Sequence, residues 1–522
     1  MSAGNRYLAI ACRQSAVIQR TLAEFGDAPL ARYLEHIGQY SHEPVQSRDD
    51  LFDVVQGYCA PLLGDAVAAR VREDLKRYPA VLTTNHHGVD FFAQSVQGSL
   101  LFSLRNALAD SRCLSTVPIF ACGSVALNNL TYPRGVLLYG LPAQQWDHLP
   151  LKAPIFPDRF KRDMVCMAPA MDEAMLGQAE KRLAQLCADQ QIFPAVGSAC
   201  AQVMMNDYRS PQVLAQPDYS RQAVLLNHRL WKRLFANPAR APELIYLEIE
   251  TITARLLELD LDNPASLAWN ILFDPRLREA VVAALDGQQG CWDQAKLGQR
   301  LRQVGREQPS AAGAGTVFFW GIATDRKRVA LSLENQAGGS AMLCGVDDHG
   351  NRWQSPLTAG AVMRGLAENR LLPSLFTCFL CIALARGVNC VGGYYQADYL
   401  PAMQRGIVAA LRNSENHRRY ADAVACTPTA SYLAGMQAVM CDLGGNALVP
   451  AGVIEIIAAG GLDDGDLQRM LMLSVRDAHK ASLLETIPDI ASGETASPGW
   501  KQSLVISCYE DLKQQAIVKK LS

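Results

Sequence analysis

Ala80-Val81-Leu82-Thr83-Thr84-Asn85-His86-His87-Gly88-Val89-Asp90 is the stretch on which the fold turns. Three apolar residues give way to two hydroxyls, an amide, two imidazoles and a carboxylate, and the helix-compatible run Phe91 to Leu104 follows. An apolar run that ends in polar, Gly-containing sequence and feeds a helix reads as buried strand, loop and helix N-terminus. In open α/β sheets ligands sit at such a place, because loop backbone and the positive end of a helix dipole converge beyond the strand's carboxyl end.

The same alternation continues outward. Val117 to Cys122 and Val136 to Tyr139 read as further strands, which predicts a parallel α/β sheet. Residues before about 75 read as helical, with apolar periodicity in Ala16 to Phe25 and Leu51 to Leu63. Between about 155 and 300 the pattern is again mainly helical, amphipathic in Met171 to Ala188 and rich in acids, Leu and Ile at helical spacing in Glu248 to Leu259. Gln308 to Gly315, with small residues, Pro and Gly, reads as a linker. Beyond it, Thr316 to Trp320 and Val329 to Leu333 read as strands, Asp347 to Arg352 as a hairpin turn, and Asp466 to Leu484 as a helix. The expectation is an α/β protein with a Rossmann-like parallel core in residues 1–150, an inserted helical arm in 151–310, and a C-terminal α/β portion in 311–522 that completes the core.

Composition narrows the class of function. With 49 basic and 51 acidic residues the chain has a net charge of -2, which lacks the basic signature of a nucleic-acid binder. The apolar stretch Tyr7 to Cys12 is interrupted by Arg13 and is too short for a signal peptide. The most apolar later run, Leu371 to Ala385, contains Pro373 and stops at Arg386, short of the ~18–20 residues of a membrane span. A cytoplasmic protein with no membrane or nucleic-acid partner is expected. The 15 cysteines form no regular framework and read as reduced, mostly buried thiols. The CxxC of Cys378 and Cys381 lies in an apolar helix-like run without a second ligand pair and reads as core. Met470 to Leu484 would serve a homodimer interface or the core equally well.

Three clusters could carry chemistry on a small-molecule substrate. His86 and His87 are consecutive, so their side chains diverge, and one can face a ligand while the other packs. An imidazole titrating near neutral pH suits proton transfer. Asp90 stands where a carboxylate either caps the following helix or takes part in catalysis. The catalytic candidates are therefore His86, His87 and Asp90, with Thr84 and Asn85 beside them as substrate-binding residues. The second cluster, Gly123 to Gly135, offers Asn128 and Asn129 to read a polar edge and Arg134 to bind a carboxylate or phosphate, unless these residues only make turns. The third offers Gly392 and Gly393 for close backbone approach, with Gln396 and Asp398 as polar contacts. The chain contains no GxxxxGK[ST], HExxH or GxSxG sequence. The remaining histidines are dispersed, and no metal ligands are assigned.

Leu82 to Gly88, the continuation to Leu104 and the strand Val117 to Phe120 resemble the nucleotide-fold core of the bacillithiol-biosynthesis cysteine ligases, which carry a degenerate relative of the HIGH loop. Ser355-Pro356-Leu357, Met363-Arg364-Gly365, Leu371-Leu372-Pro373, Gly392-Gly393 and Tyr399-Leu400 are similar, in that order, to a later segment of the same family. The likeness spans about a third of the chain. It departs from the family where Gly123-Ser124 and Asn128-Asn129 replace acidic and His residues, and where extra residues separate Pro373 from Gly392. No KMSKS-like sequence is present, and Asp325 to Arg328 reads as a solvated basic turn. The resemblance implies a ligase or group transferase joining an amino acid or similar carboxylate to an amine, with ATP or another nucleotide at the His86-His87 loop. Two alternatives stand beside it. One is a metal-dependent hydrolase or lyase built on His86 or His87, and the other is a non-catalytic ligand-binding or scaffold protein.

Overall fold

Five strands form a parallel sheet at the centre of the computed structural model, which describes residues 2–38, 43–108, 114–305, 313–335, 341–496 and 498–521. In chain order they are Ala80–Leu82, Thr116–Ala121, Glu243–Glu248, Asn389–Gly393 and Tyr432–Ala434. The first is central, the second and third step outward on one side, and the fourth and fifth on the other. Ala80 pairs with Asn389 on one flank, and Leu82 with Ile119 on the other. Every residue of Ala80–Leu82 and Thr116–Ala121 is buried, which is why both read as continuous apolar runs instead of alternating ones. Strand order reverses between Ala80–Leu82 and Asn389–Gly393. The connections leaving those two strands diverge, so a crevice opens at their carboxyl ends.

The strands of this sheet come from all three expected stretches: two before residue 150, Glu243–Glu248 from within 151–310, and two from 311–522. Val136 to Tyr139, expected to extend the sheet, instead forms an antiparallel hairpin, Gly135–Leu138 against Leu151–Pro154. A second five-stranded sheet is antiparallel, in the spatial order Leu371–Pro373, Phe319–Ile322, Arg328–Asn335, Ala341–Val346, Arg352–Pro356. Its turn at Asp347 is closed by that side chain, whose Oδ1 accepts the His349 and Asn351 amides at 2.9 and 2.8 Å.

Helices cover the remainder. Ala93–Leu108 follows the first strand and Gln396–Arg412 the fourth. The stretch expected as one helix from Asp466 to Leu484 is broken into Asp464–Met472, Val475–Ala481 and Leu483–Ile490. Ser474 makes the first break by capping the next helix, its Oγ accepting the Asp477 amide at 3.0 Å. Leu371 to Ala385 divides into the strand Leu371–Pro373, the helix Leu375–Phe379 and one π-helical turn, Leu380–Leu384, and Cys378 and Cys381 are buried as free thiols. Arg386, fully buried, donates to Asp50 at 2.8 and 2.5 Å and to Asp260 at 3.1 and 2.9 Å. It thereby ties two helices to the turn that delivers the fourth strand. Most of the expected linker, Gln308 to Gly315, lies outside the described residues. Among those described, no helix is long and apolar enough to cross a membrane.

Candidate active site at the reversal of strand order

A cavity of about 680 Å³ occupies the crevice. The loop Thr83–His86 forms one wall and Gly393–Gln396 the facing one, with Cys122 and Ser124 from the loop after the second strand. The antiparallel sheet contributes Trp320 and Arg328 from the far side. A larger, more open cleft of about 1160 Å³ is bounded by Glu248, Glu250 and surface arginines, and Thr84, Asn85, His86 and Gly393 do not reach it.

Thr84 and Gly393 show why these loops meet. A Cβ on Gly393 would stand 2.9 Å from Thr84 Oγ1, closer than side chains pack, so only glycine lets the two strand ends approach. Gln396 braces the junction by donating to Thr83 Oγ1 at 2.8 Å and to the Cys390 carbonyl at 2.9 Å. Gly392 lies beneath, buried against the Gln396 side chain.

His86 lines the cavity, and its hydrogen bonds fix its tautomer. Asn129 Nδ2 donates to the Ala126 carbonyl at 2.8 Å, which orients the amide so that Oδ1 can only accept. Thr131 Oγ1 lies 2.7 Å from that Oδ1, so the hydroxyl proton points there. His86 Nδ1, 3.2 Å from Thr131 Oγ1, must then be the donor. The proton sits on Nδ1, and Nε2 keeps a lone pair. Desolvation lowers the His86 pKa below the ordinary histidine value, with Asn129 opposing, so the ring is neutral at neutral pH.

His87 points the other way, is fully buried and does not line the cavity. Its Nε2 lies 2.9 Å from Ser220 Oγ and 3.1 Å from the Ser220 carbonyl. Ser220 already gives its proton to Glu248 Oε2 at 2.7 Å, so Nε2–H donates, and Nδ1 is left buried without a partner among the described residues. Burial pushes the His87 pKa down to about 4. The adjacent rings are thus opposite tautomers on opposite sides of the loop.

Asp90 sits below the cavity floor. Its carboxylate accepts Ser95 Oγ at 2.5 Å, Asn85 Nδ2 at 3.0 Å, the Phe92 amide at 3.2 Å and Tyr246 OH at 3.3 Å. Desolvation raises its pKa to about 6 despite these bonds. Asn85 lines the cavity, and its buried Oδ1 has no partner among the described residues.

Asn128 is exposed and outside the cavity, whereas Asn129 acts through Thr131. Arg134 is buried away from the site, its Nε donating to the Phe156 carbonyl at 2.8 Å and its guanidinium pairing with Asp158. Asp398, in the first turn of Gln396–Arg412, is exposed and does not reach the cavity. Thr84, Asn85, His86, Gly393 and Gln396 are therefore brought together, while His87, Asp90, Asn128, Asn129, Arg134, Gly392 and Asp398 are not on the cavity wall.

Asp489, Glu250 and Arg328 carry no local signal for the site in the sequence. Tyr394 OH donates to the Asp489 carboxylate, and both line the site although 95 residues separate them. Glu250, from the helix after the third strand, accepts the Gly123 and Ser124 amides at 2.7 and 2.8 Å and so shapes the second loop. Arg328, expected in a solvated turn, begins a strand and reaches the cavity. Among the described residues no group of three or more His, Cys, Asp or Glu side chains is arranged to hold a metal ion. Compared with family models, curated proteins and solved structures, the chain matches none.

Proposed function

We propose that this chain is a ligase or group transferase of small-molecule metabolism, built on a Rossmann-like core, that joins an amino acid or similar carboxylate to an amine. The observation that carries this reading is His86: a neutral imidazole locked with Nδ1 protonated, in a cavity at the reversal of strand order. Such a nitrogen takes the proton from an amine as it attacks an activated acyl carbon, where the new C–N bond replaces the bond to the activating group, which leaves with that electron pair; the proton then passes to solvent. Thr84 and Asn85 offer a hydroxyl and an amide to orient the acceptor.

A nucleotide in this site would supply the activated donor. The residues fit one, since Gln396 lines the cavity and the N-terminus of its helix, Gln396–Arg412, favours anionic groups there. A thermal-shift screen of nucleotides and amino acids tests the reading. Ligand at ~100 times its Kd stabilises by about 2.7 kcal/mol, well within detection. A nucleotide response in the wild type, followed by nucleotide-dependent amide formation that His86→Ala abolishes, is expected. No response to any nucleotide removes the ligase reading.

A further inference from the structure

Arg328 is the first residue of the strand Arg328–Asn335, and it is exposed at the cavity wall. Among the described residues one of its five N–H donors is used: Nη1 donates to the Ser124 carbonyl at 2.9 Å. The guanidinium lies 4.5 Å from the ring centroid of Trp320, which holds its plane without consuming donors. Among the described residues no carboxylate forms an ion pair with it. Glu250 lies behind the Ser124 loop, and both its carboxylate oxygens are occupied by the Gly123 and Ser124 amides. Lys296, which also lines the cavity, is paired with Asp293 at 3.0 Å. Arg328 is thus a cation propped in place inside a ligand-sized cavity, with donors beyond the one given to Ser124 left open among the described residues.

A fixed fork of this kind matches the paired oxygens of a carboxylate or phosphoryl group, and anchoring on an aromatic face spares the entropy of ordering a long side chain on binding. We infer that Arg328 is the anchor for an oxyanion of the ligand, so that the cavity selects anionic substrates and sets their distance from His86. This inference rests on the cavity being the ligand site. It adds that the wall opposite the parallel sheet, and not only the strand-end loops, reads the ligand's charge.

The test titrates the full chain with inorganic pyrophosphate, inorganic phosphate and acetate, reading Trp fluorescence and thermal shift in the wild type, Arg328→Ala, Arg328→Lys, Arg328→Gln and His86→Ala. Saturable binding of at least one anion is expected, weakened tenfold or more in Arg328→Ala and Arg328→Gln and retained in His86→Ala. Arg328→Gln removes the charge and keeps a polar side chain, and a melting temperature equal to the wild type's without ligand shows that a loss of binding there is not a folding defect. Preference for pyrophosphate or phosphate over acetate identifies a phosphoryl group, and the reverse a carboxylate. Equal binding by wild type and Arg328→Gln, or no saturable response to any of the three, overturns the inference. Nucleotide binding that Arg328→Gln leaves unchanged overturns it while sparing the ligase reading; anion binding without any nucleotide response does the opposite.

Discussion

Replacing Thr131 by valine leaves His86 in the cavity but removes the acceptor of its Nδ1 proton, so both tautomers become populated and part of the protein loses the Nε2 lone pair. Thr131→Val should therefore lower turnover at saturating substrate while binding stays near wild type. His86→Ala should cost ~10²–10⁴-fold in turnover. Because desolvation holds the His86 pKa below that of a free imidazole, the acid limb of the kcat/KM profile should fall below the ordinary histidine range. His87 makes a different prediction. Its folded pKa of about 4 is depressed, so the unfolded chain binds the proton first, and the stability from a neutral His87 is complete above 6.5 and lost as pH falls toward 4. Urea denaturation should show the wild type losing about 2 kcal/mol relative to His87→Gln between pH 7 and pH 5. Asp90 has the opposite sign: its pKa is raised to about 6, so its contribution is present below the unfolded carboxylate value and lost as pH rises through 6. That two adjacent histidines diverge is legible in their spacing. Which one faces the cavity is not, because Asn129, Thr131 and Ser220 decide it from other elements.

At the level of elements, the junction of the first and fourth strands is the most constrained point. Gly393→Ala would place a methyl group 2.9 Å from Thr84 Oγ1, and overpacking of this sort costs ~1–3 kcal/mol. Since Thr84 must move away, the variant should lose ligand affinity, measured by titration, more than it loses melting temperature. The elements legible in the sequence are those whose burial is symmetric. Ala80–Leu82 and Thr116–Ala121 are buried on both faces and are followed by abrupt polar loops. Glu243–Glu248 has a glutamate at each end, which suits a charged helix; only the fold supplies Ser220 and Thr251 as partners for Glu248. Gly392 and Gly393, expected to admit a ligand close to the backbone, prove to be the end of a strand, where Gly392 packs on Gln396 and Gly393 lets the neighbouring loop approach.

For the molecule as a whole, the parallel sheet is assembled from strands spread over more than 350 positions, from Ala80 to Ala434, so no third of the sequence contains it. A fragment ending at residue 310 keeps three strands but lacks the partner that pairs with all three residues of the central one. Such a fragment should show helical far-ultraviolet dichroism without cooperative thermal unfolding. The cavity was legible as a loop after the first strand and not as a space, because its other walls arrive from Gly393 and from the antiparallel sheet. Between Glu248 and Asn389 the chain leaves the parallel sheet, builds the antiparallel sheet bearing Trp320 and Arg328, and returns beside the strand from which the histidine loop springs. A ligand touching both His86 and Arg328 would therefore act as a reversible cross-link across that excursion. Hydrogen–deuterium exchange should slow at Phe319–Ile322 and Arg328–Asn335 when the site fills, far from the nearest residue of the parallel sheet in sequence.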